Sequence, residues 1–570
     1  MNVSSKRDSE EGSRGFVRPS ERSRKPNLLQ MPCARGSSES GNMELNQAQT
    51  RLRQWEMKLG SQLLQTLLWR LGGCRKLMTG TLQEPFRGSE SPSGSVRPFQ
   101  DIPLSQGNRW TKMLRIWKDS GYDNLHLEFQ DNFQKLGPIY RDEVGTISTV
   151  NVMMPQDVEK ILKAEGEFPQ RNLVVPWLMH RQSRKLKCGV FLLNGKEWLN
   201  NRMKLNQDVL SLKSTGQFIP LLNSVCQDFV QYLNNKIRKN VRKSLTLNIS
   251  PYVFRFSTEA STYVLYGERL GLLSNNPNPD GMRFIQAMNK VISSTSLLLY
   301  TPVTLSRLTN SNTWKQHLEA WDDIFQYADK CIQRIYQEMS LNNSSSQYSG
   351  IMAELLEKAD LSLDSIKANI MELTAGSVET TTFPIVSTLF ELSRNQDLQS
   401  ALRAESKEAE ARLKENTQLL VKELPLLRAT IKETLRLYPV ASVLYRYLAK
   451  DTVLQNYNVP AGTLVQVSLY TMGRSPEVFV RPERYDPSRW LTSTSDQAGN
   501  QIPNFRYLSF GFGIRQCIGR RIAETEMLLF LHHVLKNFQI ETLCKDNLNQ
   551  VFRFVLHPKS FPLFTFRILT

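Results

Sequence analysis

The chain has 570 residues, 40% of them apolar and 22% charged, with a formal net charge of +18. That composition suits a large folded core and excludes both a polytopic membrane protein and a charge-dominated disordered chain. Seven cysteines, odd in number and without a Cys-x-x-Cys pair, exclude a disulfide framework or zinc ribbon and indicate a reducing compartment.

Residues 1–42, with stretches such as SKRDSEEGSR and ARGSSESGN, are polar and mixed in charge, the pattern of a disordered extension. From Met43 to Gly80 six Lys or Arg residues accompany only Glu44 and Glu56. The apolar stretch SQLLQTLLWRLGGCRKLM (61–78) is interrupted by Arg70, Arg75 and Lys76. It therefore falls short of the ~18 uninterrupted apolar residues that a spanning helix needs. An Arg-bearing, acid-poor amphipathic helix reads as an organellar transit peptide over 43–83, with a surface helix as the plainer reading. Met43 is accordingly expected to be the functional start, because residues 1–42 would bury the import signal and so fall outside the native product. A Pro/Ser/Gly-rich joint at 84–98 leads into a body over 99–570 that has no second linker and no repeat. One domain of that length exceeds the usual size of a single core, which suggests an enclosed cofactor or a large pocket.

The body opens with a helix over 123–136, then a hairpin in PIYRDEVGTISTVNVMM with Gly145 at its turn. PQDVEKILKAEG is a short helix with Pro155 in its first turn, Val158, Ile161 and Leu162 on one face, and Gly166 as terminator. The basic run NNKIRKNVRKS (234–244) carries no nucleic-acid motif and reads as a solvated face. Loops are expected at 274–281, 341–350 and 492–501, and a strand pair at 453–470. The fold class is mainly α with small β-sheets.

Four stretches carry chemistry. The helix DSIKANIMELTAGSVETTTFPIVSTLFELSRN (364–395) has small residues Ala375, Gly376 and Ser377, then Glu379 and Thr380. Small residues admit a flat ligand or dioxygen, and an acid beside a hydroxyl can relay protons. Pro384 has no N–H for the Thr380 carbonyl, so a kink or widened turn is expected at Thr380. In KETLRLYP (432–439), Glu433 and Arg436 share a helix face that Pro439 helps to end. RPERYDPSRW (481–490) supplies Arg484, and an inward Glu433 facing the Arg436 and Arg484 forks would make a buried network. Last, Phe510, Gly513, Arg515, Cys517 and Gly519 fall as F-x-x-G-x-R-x-C-x-G ahead of a helix over 520–538. A thiol at a helix start meets free N–H groups and the positive end of the dipole, which favours thiolate. A nucleophile would want a histidine nearby, and none of the six histidines lies in a motif. Haem iron held by a cysteine thiolate fits better.

With these motifs in order across 364–519, the chain resembles the cytochrome P-450 superfamily of haem-thiolate monooxygenases. The resemblance implies one large haem domain in which Cys517 is the axial ligand of haem b. It makes Thr380 and Glu379 the proton-delivery pair and Glu433, Arg436 and Arg484 a structural triad. NGKEWLNNR (194–202) resembles the family's W-x-x-x-R segment, so Trp198 and Arg202 would meet a haem propionate, with Arg446, Arg515 and Arg171 as further partners. LLRATIKETLRLYPV and FGFGIRQCIGRRIAE, with the import-like N-terminus, resemble the mitochondrial class. That class takes electrons from an acidic [2Fe–2S] ferredoxin (adrenodoxin) and its reductase. Arg428 and Lys432 match its docking positions, and i,i+4 spacing places both on one exposed face.

KCGVFLLNGKEW, MELTAGSVETTTFP and LQNYNVPAGTLVQVSLY resemble the steroid 11-beta-hydroxylase and aldosterone synthase group. There Trp177, Phe191 and Glu372 would line the steroid pocket. Val443 stands where that group usually carries Phe, and Glu379 where it carries Asp. The resemblance implies 11-beta-hydroxylation of 11-deoxycortisol or 11-deoxycorticosterone by a peripheral protein on the matrix side of the mitochondrial inner membrane, with no nucleic-acid partner. Aldosterone synthesis or cholesterol side-chain cleavage is the alternative within the class. A haem- or steroid-binding protein or isomerase without oxygenase activity is the alternative outside it, and would tend to lose the acid–alcohol pair kept here.

Overall fold

The period-2 alternation of 139–152 closes a hairpin: β1 (Ile139–Val144) pairs antiparallel with β2 (Ile147–Val152), and Gly145 takes φ 58° in the turn. This computed structural model describes residues 95–569, apart from 119–120, 210, 300, 302, 341–349, 359, 414–415 and 492–504. The expected extension over 1–42, the transit segment over 43–83 and most of the joint lie outside the described residues, as do most of the loops expected at 341–350 and 492–501.

Two further strands complete the sheet. β4 (Leu464–Ser468) runs parallel to β2 and antiparallel to β3 (Val443–Tyr447), giving the order β1-β2-β4-β3. The strand pair expected over 453–470 is therefore divided. Thr452–Leu454 pairs with Tyr457–Val459 across Gln455 and Asn456, both at positive φ. That two-residue turn matches the strand twist, while 464–468 leaves to join the larger sheet.

The rest is mainly helical. α1 (Pro155–Lys163) starts on its proline, buries Val158, Ile161 and Leu162, and ends ahead of Gly166. α2 (Val175–Arg184) and α3 (Gly195–Val209) follow. The single helix expected over 364–395 is two, α4 (Leu363–Ser377) and α5 (Glu379–Arg394), separated at Val378. Pro384 is the cause anticipated, but the break lies upstream of Thr380. There the Thr380 hydroxyl donates to the Gly376 carbonyl at 2.6 Å, across the break. α6 (Pro425–Leu437) stops before Pro439, and α7 (Arg520–Asn537) is buried from Thr525 to Leu535.

Two cores result. The larger is helical and includes Phe256, Leu389, Phe390 and Leu531; the smaller lies on the sheet and includes Val150, Val152 and Val467. Burying each such side chain contributes roughly 1.5–3 kcal/mol. Leu508 packs into the smaller core, whereas Ile518 and Phe510 pack into the larger. The segment between them, which holds Cys517, is pinned at the seam.

Candidate functional site

The Cys517 loop is shaped by backbone first. Gly511 and Gly513 take φ 70° and 68°, a region that L side chains rarely adopt, so the conformation rather than space around sulfur demands glycine there. Gly511 N–H donates to the Leu508 carbonyl at 2.8 Å, and Cys517 N–H donates to the Phe510 carbonyl at 2.7 Å. α7 begins three residues after the cysteine, at Arg520. The thiol is free, and solvent reaches it from one side although protein surrounds it on the others. Burial pushes the thiol up, while a hydrogen bond from the Gly519 backbone and the charge of Arg202 pull it back toward thiolate.

Around this loop stand the expected arginines. Arg515 donates from Nε to the Pro169 carbonyl (2.6 Å) and from Nη2 to the Leu193 carbonyl (3.0 Å) and Asn194 Oδ1 (2.5 Å). Its guanidinium lies 3.9 Å from the centroid of Trp198, so that buried indole backs Arg515. Arg202 donates to the Gln516 carbonyl at 2.8 Å, and Arg171 donates to the Phe191 carbonyl. Arg446 donates to Glu165 and to the Tyr445 carbonyl. Burial pushes Arg515 down to about 9, and Arg171 and Arg202 down to about 10. Arg171 and Arg446 depress Arg515 further, as like charges do. Arg515 Nη1 and Arg202 Nε are buried without a hydrogen-bond partner among the described residues. Four guanidiniums thus gather with Glu165 as the carboxylate paired to Arg446, and two of their buried donors are unmet. Such a set fits a ligand bearing carboxylates, and with an open thiol beside it, a haem.

The break between α4 and α5 holds the acid–alcohol pair. Burial alone pushes the Glu379 carboxyl up to about 8. It therefore keeps its proton at neutral pH, beside a Thr380 hydroxyl whose hydrogen is fixed on Gly376.

The network behind the loop differs from expectation at one residue. Glu433 accepts from Arg436 at 2.7 and 2.9 Å, from Asp486 N–H at 2.9 Å and from Trp490 Nε1 at 2.9 Å. Its second guanidinium is Arg489, with Nε 3.2 Å away, not Arg484. Arg484 supplies only its carbonyl, to Arg436 at 3.2 Å, and its side chain is exposed. The 3-10 turn Pro487–Trp490 is the cause, since it packs against α6 and presents Arg489 and Trp490 together.

Of the residues expected to line the steroid pocket, Trp177 is buried, donates to Thr295 Oγ1 at 2.7 Å, and lies 5.3 Å from Phe191 and 5.4 Å from Phe554 between ring centroids. Phe554, packed on Trp177, is not signalled by any recognisable spacing in the sequence. The Glu372 oxygens accept the N–H groups of Gly189, Phe191 and Leu192, so its carboxylate clamps a loop. Arg428 and Lys432 are half-buried rather than on an exposed face. Arg428 donates to the Val421 carbonyl at 2.6 Å, and Lys432 lies over Trp490 with its pKa lowered by burial.

Residues 103–564 match the family model for cytochrome P450. A protein of Ovis aries named cytochrome P450 11B1, mitochondrial, is 55% identical over 483 residues, covering 85% of this chain and 95% of the relative. Cytochrome P450 11B2, mitochondrial, of Mus musculus is 50% identical over 473 residues, covering 83% and 93%. Among solved structures, retinoic acid-bound cyanobacterial CYP120A1 is similar in fold, with a TM-score of 0.66 at 20% identity, covering 83% of this chain and 100% of that one.

Proposed function

This chain belongs to the cytochrome P450 family, and from that membership we propose that it is a mitochondrial steroid 11β-hydroxylase. It converts 11-deoxycortisol or 11-deoxycorticosterone to cortisol or corticosterone, using O2 and electrons from a ferredoxin. The observation that carries the reading is the Cys517 loop, whose thiol opens beside a cluster of under-partnered arginines. When bound, the haem supplies oxygen activation, so that one oxygen atom enters a C–H bond and the other leaves as water.

Cys517 would ligate the iron, since a coordinating metal completes the ionisation that Gly519 and Arg202 favour. Arg171, Arg202, Arg446 and Arg515 would take the haem carboxylates, for which the planar guanidinium fork is matched. Trp198 supports this by backing Arg515, whose guanidinium lies 3.9 Å from the ring centroid. Glu379, neutral at pH 7, acts as a proton store near the working pH, where general acids are most effective. Thr380, its hydrogen held by Gly376, presents its oxygen at the helix break. Trp177, Phe191 and Phe554 would form an aromatic wall for a flat, apolar steroid. Glu433, Arg436 and Arg489 would brace the loop from behind.

An acidic [2Fe–2S] ferredoxin, served by its reductase, would dock on the face of α6 at Arg428 and Lys432. The protein would sit on the matrix surface of the inner membrane; among the described residues no helix is long and apolar enough to cross a membrane. Similarity to a relative named cytochrome P450 11B2, mitochondrial, favours a second reading. That reading is aldosterone synthase activity, in which oxidation continues at carbon 18. Product analysis of the purified protein with ferredoxin, reductase and a small steroid panel separates these. An 11β-hydroxysteroid supports the proposal, 18-oxygenated product supports the second reading, and side-chain cleavage or no turnover contradicts both.

A further inference from the structure

Four consecutive backbone N–H groups are taken by two side chains of α4. Gly189 donates to Glu372 Oε1 at 2.8 Å, Val190 to Asn369 Oδ1 at 2.7 Å, and Phe191 and Leu192 to Glu372 Oε2 at 2.7 and 3.2 Å. Asn369 and Glu372 are i,i+3 neighbours on one helix face. Asn369 also donates to Asn201 on α3, at 2.7 Å, beside Arg202. The approach is tight: a Cβ at Gly189 would fall 2.6 Å from Glu372 Oε2 and 2.7 Å from the Ala368 carbonyl oxygen.

The acceptors of the same segment serve the other side. The Phe191 carbonyl accepts from Arg171, and the Leu193 carbonyl and Asn194 Oδ1 accept from Arg515 at 3.0 and 2.5 Å. Asn194 Nδ2 returns to the Arg171 carbonyl at 3.1 Å. One stretch of backbone therefore has its N–H groups fixed by α4 and its carbonyls fixed on two of the four clustered guanidiniums.

We propose that Glu372 is a positioning residue for the haem-edge arginines: through residues 189–194 it sets the placement of Arg171 and Arg515, and so ties the steroid-side helix to the haem carboxylates. This rests on the haem-thiolate reading. Three N–H groups on one buried carboxylate make a stiff anchor, because leaving any of them unmet in a dry interior is costly. A stiff anchor keeps the two guanidiniums aimed, instead of letting burial and mutual repulsion drive them apart.

The test uses steroid-free holoenzyme. Glu372→Asp keeps the charge but withdraws the carboxylate by one methylene, and Asn369→Ala removes the Val190 acceptor together with the hydrogen bond to Asn201. The readouts are the rate of haem transfer to apomyoglobin and the iron reduction potential. Glu372→Asp is expected to speed haem loss roughly tenfold, equivalent to about 1.4 kcal/mol, with a smaller increase for Asn369→Ala. Both variants should shift the potential negative, because loosened guanidiniums neutralise the carboxylates less. Wild-type haem loss and potential with weakened steroid affinity would overturn the proposal and make Glu372 a steroid contact only. Faster loss at an unmoved potential would also overturn it, as general loosening. If Glu372→Asp yields no holoenzyme, Asn369→Ala decides on the same two readouts. A wild-type protein that binds no haem is a separate failure, that of the family-based function.

Discussion

Replacing Arg489 and Arg484 separately by alanine is a direct test of the network behind the Cys517 loop. Arg489 donates to Glu433 at 3.2 Å and to the carbonyls of Val480 and Arg481 at 2.6 and 2.8 Å, with its side chain only 13% exposed. Glu433 and Arg436 have side chains 0% and 1% exposed, so the charges they carry are dry. Removing one partner of a buried pair costs about 3–5 kcal/mol. Here Arg436 remains on Glu433, which lowers the expected loss for Arg489→Ala to about 2–4 kcal/mol. Arg484→Ala removes an exposed side chain and keeps the carbonyl that Arg436 uses, so its effect should stay within about 0.5 kcal/mol. The assay is urea denaturation followed by the thiolate Soret band and by far-UV circular dichroism. Heating discriminates less, because for a chain of this size 1 kcal/mol corresponds to only about one degree. Equal losses in the two variants, or a larger loss for Arg484→Ala, would refute the assignment of Arg489.

Three further outcomes are expected. The folded pKa of Glu379 is raised by burial from 4.5 to about 8, so its proton is retained below that value and lost above it. Coupling of electrons to product should fall as pH rises through about 8 in wild type and stay flat in Glu379→Gln; a wild-type profile without that step removes Glu379 as the proton store. Stability changes with the same sign: what is present below pH 4.5 is lost as pH rises toward 8, and Glu379→Gln abolishes this loss. Thr380→Ala should bind steroid normally but divert reducing equivalents to peroxide, and tight coupling in that variant sinks the role given to the hydroxyl. Lys432→Gln should slow ferredoxin-driven turnover more at low than at high ionic strength, and an equal loss at both speaks against electrostatic docking.

The Cys517 loop was legible because its information is local. Five residues at fixed spacing, together with glycines at 511 and 513 that take positive φ, specify one turn before one helix. The helix break was half legible: Pro384 announces that the Thr380 carbonyl lacks its donor, but the interruption itself falls at Val378, two residues upstream. Arg489 was not legible, because RPERYDPSRW offers several arginines and the 3-10 turn at Pro487–Trp490 selects one by packing on α6. The clamp made by Glu372 was not legible for a related reason. A carboxylate on this helix resembles a ligand contact until the fold brings the N–H groups of Gly189, Phe191 and Leu192 onto it from far away in sequence. Arg428 and Lys432 show the limit of spacing, which gives a shared face but not its exposure.

The central claim is that a haem is held on Cys517, and the reduced carbon-monoxide difference spectrum tests it most directly. Wild-type protein should give the red-shifted thiolate Soret band, and Cys517→Ser should lose it. A wild-type spectrum without that band, or a variant that keeps it, contradicts the account.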